Sequence, residues 1–523
     1  MLLLVFGVVI SAAPNIVYAA ENETSFDNTN VLDDLKSSKA NGVPFDVRNY
    51  PYSKTGAPRI ITFVEYCYSY RANNQDNYGL YVYVYNPQGN ALNLTTKQNK
   101  IQMAVAYDEN GKLDLSKMIE NTNECLKNGT ENICEASFSS GGLFCSCDIL
   151  RKEKDGYAIY EVKSSTHVSA VYITDITYQK YVLEKCGIKV TGTYIVHINT
   201  DYVFDGKLDV QKLFTIKDVS SLVEEESKKH DIEKDLIDAS KICDCEEEPN
   251  FDLSIKCREP YTCGYWDYCS RHLPHPNVFD VYRMNFDKKI KAYRDGYFEF
   301  GDVRQAVKLN ELQKRQLDFV LKGIDEHIDK DGIKSFLDTL SYPLYFLDFE
   351  TMQLVIPEYP NSKPYQQITF QYSLHYIESK GGEIKHKEFL GVSGEDPRRA
   401  LAEQLVKDIP TDACVLAYNM GFEKGRIKEL AELFPDLSNS LMKIRDNVKD
   451  LIDPFHDGYY YNKAIGSSFS IKSVLPAMFP NDPELDYHNL EGVHNGGEAM
   501  TLFPKIKDLP LDEQAVARKN LLT

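Results

Sequence analysis

The sequence predicts a mixed α/β protein of about three domains, and three observations support this. The chain has 523 residues, which at roughly 100–200 residues per domain allows about three cores. Hydrophobic residues make up 43% of the chain, a share typical of globular rather than disordered proteins. From about residue 111 onwards, strand-like and helix-like segments alternate in two blocks, and each block carries an acidic motif.

Composition narrows the classes of protein that the chain can be. A net charge of −19 argues against a protein that coats polyanions through general positive charge. A carboxylate metal site remains compatible with that charge, because such a site is itself acidic and basic patches can be local. The 12 cysteines are too few for a disulfide scaffold of this size.

The N-terminal residues 1–20 look like a secretory signal. An apolar run over residues 2–13 precedes small residues suited to cleavage, although the basic n-region is missing and the first lysine is Lys36. The run is too short to cross a bilayer as a stable helix, so no membrane span is predicted. A true or truncated signal and a disordered or mis-started N-terminus both stay open.

Residues 21–110 are expected to be a β-rich segment without catalytic residues. Its strand candidates are residues 59–64, 80–85 and 101–107, which are rich in β-branched and aromatic side chains. We interpret this segment as a binding or structural β-module.

Residues 111–276 are predicted to form one α/β domain. Strands are expected over 133–138, 143–150, 157–162 and 193–199, with a helix over 173–185 before the last strand. This β-β-β-α-β order predicts a mixed sheet with a helix packed on it. Residues 210–240 are charged and are expected to be helical.

Asp148 and the pair Glu161 and Lys163 form a candidate metal site. Residues two apart on a strand face the same side, so Glu161 and Lys163 share a face that a neighbouring strand can bring to Asp148. Two carboxylates can hold Mg²⁺, and a lysine can stabilise charge that develops on a phosphate. The alternative for these residues is an ordinary surface salt bridge.

A cysteine cluster follows this domain's core. Cys257, Cys263 and Cys269 are spaced evenly, and thiolates suit a [4Fe–4S] cluster or Zn²⁺. The fourth ligand is open among three upstream cysteines, with Cys245 preferred: Cys67, Cys243 and Cys245. Buried cysteines without a ligand are the alternative.

Residues 277–335 are expected to be a helical connector, and residues 336–523 a second α/β domain. Its strands are expected over 344–349 and 413–418. Asp348 and Glu350 lie at the end of the first strand and share one face, which makes them a second candidate metal site.

The first block resembles the PD-(D/E)XK nuclease superfamily, in particular its RecB-like and CRISPR-associated members with a four-cysteine cluster. The resemblance rests on Asp148, on Glu161-Val-Lys163 and on Gln179-Lys-Tyr181. It implies a restriction-endonuclease-like core in which Asp148 and Glu161 hold metal, Lys163 assists water, and Gln179 and Tyr181 shape the site. It also implies that the three evenly spaced cysteines and one upstream cysteine bind an iron–sulfur cluster.

The second block resembles the DEDD exonucleases, which have a ribonuclease H-like fold. Asp348-Phe-Glu350 matches their first motif, and Asn419 followed by Glu423 matches the second with Glu in place of Asp. The resemblance implies two Mg²⁺ or Mn²⁺ ions held by Asp348, Glu350 and Glu423. Two further acids are candidates for support: Asp450 and Asp453. The last motif is matched poorly, by His494 and Glu498.

Both blocks together look like a widespread bacterial family that pairs a RecB-like half with a C-terminal domain of unknown function. The resemblance covers residues from about 111 to 523 and is carried by five segments: 342–351, 364–367, 370–375, 396–399 and 470–476. Members usually continue into a further helix that supplies the last acid, so a C-terminal truncation is expected here. They also usually begin with a segment unlike residues 1–110, so a gene fusion and a join of unrelated fragments both stay open.

The sequence therefore predicts a metal-dependent nuclease that hydrolyses phosphodiester bonds in DNA or RNA, with exonucleolytic action as one form. Its partner would be nucleic acid, and its oligomeric state is not predicted. The family part suggests the cytoplasm, whereas the signal-like segment suggests secretion. Two alternatives are a catalytically inactive nucleic-acid-binding or scaffold protein, and a secreted β-protein with a passenger tail.

Overall fold

The computed structural model describes residues 84–85, 91–92, 101–108, 112–482 and 496–522. The signal-like segment, the strand predicted over 59–64, Cys67 and His494 lie outside these residues. Near the start, β1 (Val84–Tyr85) and β2 (Ala91–Leu92) pair antiparallel.

The chain divides into two compact units. Among the described residues, the first contains those up to Pro249 together with 354–366, and the second contains 250–353 and those from Gln367 onwards. Compared with the predicted domain bounds, residues 250–276 therefore group with the second unit. Both units combine sheets with helices, which confirms the prediction of a mixed α/β protein.

The first unit is built on a six-stranded sheet whose strands are neighbours in chain order. They are β3 (Ile101–Met103), β4 (Asn132–Ser140), β5 (Leu143–Lys152), β6 (Tyr157–Lys163), β7 (Val190–Ile198) and β8 (Phe214–Asp218). The pairs β3–β4 and β6–β7 are parallel, and the other neighbours are antiparallel. The helices are α1 (Leu115–Lys127), α2 (Ala170–Lys185), α3 (Val210–Leu213), α4 (Ser220–Lys229) and α5 (Ile232–Cys243).

Helix α2 is the crossover that lets β6 and β7 run parallel. Ile173, Ile176 and Leu183 recur at helical spacing, so one face of α2 is buried on the sheet. The predicted β-β-β-α-β order is confirmed by β4, β5, β6, α2 and β7.

The prediction for residues 210–240 was wrong in one part. Residues 214–218 form β8, an edge strand, between two helices. Ile216, Lys217 and Asp218 are exposed, so the segment lacks the apolar alternation that marks a strand with one buried face. Its backbone pairing with β7 supplies the stabilisation that its side chains do not show.

The second unit begins with helices, as expected for residues 277–335. They are α6 (Trp266–Ser270), α7 (Phe286–Arg294), α8 (Phe300–Ala306), α9 (Glu311–Leu321) and α10 (Lys330–Leu337). A short antiparallel pair, β9 (Glu326–Ile328) with β15 (Tyr460–Asn462), links this region to the rest of the unit.

The main sheet of the second unit has five strands, with its first strand in the centre. They are β10 (Leu344–Gln353), β11 (Gln367–Ile377), β12 (Lys385–Leu390), β13 (Cys414–Ala417) and β14 (Val448–Asp450), in the order β12-β11-β10-β13-β14. The β10–β11 and β11–β12 pairs are antiparallel, whereas β10–β13 and β13–β14 are parallel.

Further helices belong to the second unit. They are α11 (Arg398–Asp408), α12 (Gly421–Leu433), α13 (Ser438–Asp446), α14 (Asp453–His456), α15 (Ile471–Met478), α16 (Gly496–Leu502) and α17 (Leu511–Leu522). Leu401, Ile427 and Leu441, from α11, α12 and α13, pack with one face of the strands in the largest core of the unit. In the described part of the chain, no helix combines the length and the apolar character that a membrane crossing requires.

Replacement of Ile176 by alanine should destabilise the first unit. Ile176 is fully buried between α2 and the sheet, so the substitution leaves a cavity and should lower the free energy of unfolding by about 2–5 kcal/mol. Urea unfolding followed by circular dichroism measures the change. Thr174→Ala, on the exposed side of the same helix, is the control and should cost far less. Equal losses for the two variants would contradict this packing.

Candidate active sites in the two units

The first site forms where β5 and β6 stop pairing. Ile149 pairs with Tyr160, so Asp148 and Glu161 are the next residues opposite each other. At this point the strands open, and the Asp148 carboxylate accepts a hydrogen bond from the backbone N–H of Val162 at 2.6 Å. Glu161 and Lys163 share a face as predicted, and Lys163 Nζ lies 2.7 Å from Glu161 Oε1.

Helix α2 adds two side chains to this site. Gln179 Nε2 donates to Glu161 Oε2 at 3.0 Å and to Asp175 Oδ1 at 3.3 Å. Asp175 also forms an ion pair with Lys163 at 2.9 Å. Asp175 was not among the predicted site residues. The available signal was its position one helical turn before Gln179, because residues four apart lie side by side on a helix.

Burial and neighbouring negative charge together set the electrostatics of the first site. Burial, followed by the charge of Asp148, raises the pKa of Glu161 to about 8. Burial, followed by the charge of Glu135, raises the pKa of Asp148 to about 7. Burial alone would lower the pKa of Lys163, but Glu161, Asp175 and Asp148 outweigh it and raise that pKa. One lysine thus faces several carboxylates, and the pKa values of two of them, Asp148 and Glu161, are raised into the neutral range.

Tyr181 lies on a different side of α2 from Gln179. It packs, half-buried, against the core, and Lys185 Nζ lies 5.2 Å from the centre of its ring. Residues two apart on a helix point about 200° apart, so the helix that brings Gln179 to Glu161 turns Tyr181 elsewhere.

The second site combines a strand and a helix. Asp348 and Glu350 lie on β10, and Glu423 is buried in the first turn of α12. Burial, followed by the charge of Asp348, raises the pKa of Glu350 to about 7. Burial also raises the pKa of Glu423 to about 7, with the charges of Asp348 and Asp450 adding to it. Asp348 keeps an exposed edge, yet loss of water around its carboxyl raises its pKa too.

Two contacts define the surroundings of these acids. Glu423 Oε2 is buried without a hydrogen-bond partner among the described residues. The start of α16 approaches Glu350 so closely that a Cβ at Gly496 would lie 2.9 Å from Glu350 Oε2, so a larger residue there would displace the Glu350 carboxylate. Glu498, from the poorly matched last motif, lies exposed in the first turn of the same helix.

Asp450 positions the start of α12. Its two carboxylate oxygens accept backbone hydrogen bonds from Asn419 at 2.8 Å and Met420 at 2.9 Å, and Oδ1 also accepts one from Ile452 at 3.1 Å. Asn419 has a φ of 64°, a left-handed conformation that Asn tolerates better than most residues. Asp450 therefore fixes the turn from which Glu423 projects. Asp453 is exposed at the start of α14, and burial of part of its carboxyl raises its pKa.

The clustered cysteines fall in both units. In the second unit, Cys257 and Cys269 pack against one apolar cluster, and the backbone N–H of Cys263 donates to the carbonyl of Cys257 at 2.8 Å. In the first unit, Cys245 is exposed after α5, and its thiol donates to the carbonyl of Lys241 at 3.1 Å. Throughout the residues that the structure describes, no three His, Cys, Asp or Glu side chains form a ready set of metal ligands.

Comparison with known protein families gives a match in the second unit. Residues 345–470, in the second unit, match a family model described as a domain of unknown function (DUF2779). No curated protein and no solved structure matches the chain. The matched segment contains Asp348, Glu350, Glu423 and Asp450, the acids of the second site and the residue that positions it.

The raised pKa of Glu161 predicts how stability depends on pH without divalent metal. Folded Glu161 keeps its proton to about pH 8, whereas the unfolded chain releases it near 4.5. Because the folded state binds the extra proton in that window, stability should fall as the pH rises from about 4.5 to about 8. Unfolding measured across this window should show a smaller decline in Glu161→Gln. Exposed Glu131→Gln is the control, and a decline that is equal in all three proteins would contradict the assignment.

Proposed function

We propose that this protein is a divalent-cation-dependent nuclease that hydrolyses phosphodiester bonds in DNA or RNA. The observation that carries the proposal is the grouping of Asp148, Glu161, Lys163 and Gln179 in the first unit. A salt bridge that only stabilised a strand would not need a second carboxylate directly opposite. It would also not need a buried glutamine that holds the first carboxylate in place.

The chemistry of the residues in both sites, rather than a preformed ligand geometry, favours a divalent cation. Burial of like charges is costly unless a cation compensates for them, and Lys163 supplies one charge against at least three carboxylates. In the second site, Glu423 Oε2 lacks a hydrogen-bond partner among the described residues, and Asp348 and Glu350 repel each other. Carboxylate oxygens are the ligands that Mg²⁺ prefers, and Mn²⁺ accepts the same donors.

Asp148 and Glu161 would hold the cation in the first site, as would Asp348, Glu350 and Glu423 in the second. When bound, Mg²⁺ or Mn²⁺ supplies a water of lowered pKa and polarises the phosphate. Lys163 remains protonated beside Glu161 and can stabilise the charge that develops on phosphate oxygens. Gln179 orients Glu161, and Asp450 orients the helix that carries Glu423.

We assign the two units to specific folds within the same proposal. A PD-(D/E)XK-like core in the first unit is supported by the acidic residues on β5 and β6 and by α2, which crosses from β6 to the parallel β7. A ribonuclease H-like domain in the second unit is supported by a central first strand with an antiparallel hairpin on one side and two parallel strands on the other. Asp348 and Glu350 lie on that central strand.

Cleavage assays with each site disabled test the proposal. Purified full-length protein should cleave labelled single- or double-stranded DNA or RNA when Mn²⁺ is added. Glu161→Gln or Asp348→Asn should lower the rate by about 100-fold or more, because each removes a charged ligand of the cation that acts on the reacting phosphate. The variant with the loss identifies the unit that cleaves.

Exposed glutamates provide matched controls for these variants. Glu131→Gln in the first unit and Glu378→Gln in the second remove the same charge from surface positions and should leave the rate unchanged. Binding of nucleic acid by the wild-type protein without any cleavage would overturn the enzyme in favour of a binding or scaffold protein.

A cysteine-bound cluster is a further part of the proposal, supported by the packing of Cys257 and Cys269 on one apolar cluster. Protein purified without oxygen should carry iron with the visible absorbance of an iron–sulfur cluster, or zinc by metal analysis. Cys263→Ser should lose the metal, and Cys186→Ser, a half-exposed cysteine outside the cluster, should retain it. Wild-type protein with neither metal would contradict this part.

A further inference from the structure

Glu135, which the sequence analysis did not single out, lies in the middle of β4 with an unusual backbone. Its φ is 54°, in the left-handed region that residues other than glycine rarely adopt. Such conformations persist where the surrounding structure enforces them, and they are concentrated at functional sites. Glu135 is therefore held in a conformation that its own sequence preference opposes.

The pleat of β4 is interrupted at this residue. Ile133, Ala136 and Phe138 all contribute to the core beneath α2, although a regular strand would not place both Ile133 and Ala136 on one face. Irregularities of this kind redirect a side chain and are frequent beside active sites. The interruption frees Glu135 from the strict alternation of its neighbours.

Glu135 lies in the same cross-strand row as the two carboxylates of the first site. The pairs Cys134 with Ile149 and Ala136 with Cys147 bracket it, so Glu135 is opposite Asp148. Asp148 is in turn opposite Glu161 on β6. Neighbouring strands are about 4.8 Å apart, so three carboxylates occupy one level on three adjacent strands.

A side-chain hydrogen bond places the carboxyl of Glu135 beside the strand of Asp148. Ser146 Oγ, on that strand, donates to Glu135 Oε2 at 3.5 Å. The left-handed backbone at φ 54° thus coincides with a position opposite Asp148, where a cation between the two carboxylates would offset their mutual repulsion.

A buried acceptor in the same site points independently to a ligand. Gln179 is only 4% exposed, and its Nε2 is engaged by Glu161 and Asp175. Its Oε1, on the same amide, has no hydrogen-bond partner among the described residues. A buried acceptor costs free energy unless a donor or a cation satisfies it.

We propose that Glu135 is a third carboxylate ligand of the first site and helps Asp148 and Glu161 to hold a divalent cation, Mg²⁺ or Mn²⁺. The inference rests on the proposed function, since it completes the ligand set of that cation. Glu135 adds a ligand from β4, a strand that carries none of the motif residues Asp148, Glu161 and Lys163.

Direct measurement of Mn²⁺ binding tests this role without reference to cleavage. The measurement uses the full chain with Asp348→Asn and Glu350→Gln, so that the second site does not contribute, and isothermal titration calorimetry gives the affinity. Glu135→Gln should weaken Mn²⁺ binding by about tenfold or more, and Asp148→Asn should do the same. Glu131→Gln, four residues upstream and exposed, should bind Mn²⁺ as the parent does.

A glycine variant separates a ligand from a residue with a merely structural role. Glu135→Gly relieves the left-handed backbone and the repulsion, so its thermal unfolding midpoint should be higher than that of the parent while its Mn²⁺ affinity is lower. A structural role predicts the opposite change in the midpoint. Because glycine favours this backbone, the variant also remains folded if Glu135→Gln does not.

The possible outcomes distinguish this inference from the proposed function. If Mn²⁺ binds and Asp148→Asn weakens it, but Glu135→Gln and Glu135→Gly bind as tightly as the parent, Glu135 is not a ligand and the proposed function stands. If the parent binds no Mn²⁺, both the inference and the metal-dependent first site are overturned. If both Glu135 variants lose affinity and the glycine variant gains stability, the assignment is supported.

Discussion

The accumulation of like charges on partly buried strand residues is the constraint on which both candidate sites depend. In the first unit, Asp148 and Glu161 come from neighbouring strands, and Lys163 neutralises only part of their charge. A fold selected for stability alone would avoid this arrangement, because each carboxylate that loses water without a full partner lowers the stability. Contacts from the sheet and from α2 compensate for this clustered charge.

The sheet and helix α2 together hold the charged side chains of the first site. The sheet keeps Asp148 in place through the backbone N–H of Val162, and Gln179 and Asp175 of α2 hold Glu161 and Lys163. The apolar residues of α2 anchor it on the sheet, so the polar pair is fixed by packing rather than by its own interactions. Hydrophobic burial of one face of α2 thus stabilises an arrangement of charged side chains that would be unfavourable without that packing.

The second unit gathers its acids by a different route. Asp348 and Glu350 are fixed by the central strand of its sheet, whereas Glu423 depends on where α12 begins. Asp450, at the end of a neighbouring parallel strand, binds the backbone N–H groups of Asn419 and Met420 and so sets that beginning. Asp450, a candidate supporting acid in the sequence, therefore orients the helix that carries Glu423.

The sequence by itself determined the strands and helices that show a clear hydrophobic period, and the acid pairs whose spacing places them on one strand face. Strand-like apolar segments located β4, β5, β6 and β7, and the two-residue spacing placed Glu161 with Lys163 and Asp348 with Glu350 on one strand face. These features are local, so a short window of residues contains all the information that they need.

Only the tertiary structure decided which residues from distant segments join those pairs. Asp175 and Glu135 carry no motif, and they reach Lys163 and Asp148 through helix packing and strand register. Tyr181 was predicted to shape the site together with Gln179. Because the two residues lie on different sides of α2, Tyr181 contacts Lys185 instead. Edge strand β8 shows no apolar alternation, since its pairing comes from the backbone. Register, crossover and backbone strain arise from the whole sheet, which is why no local pattern contains them.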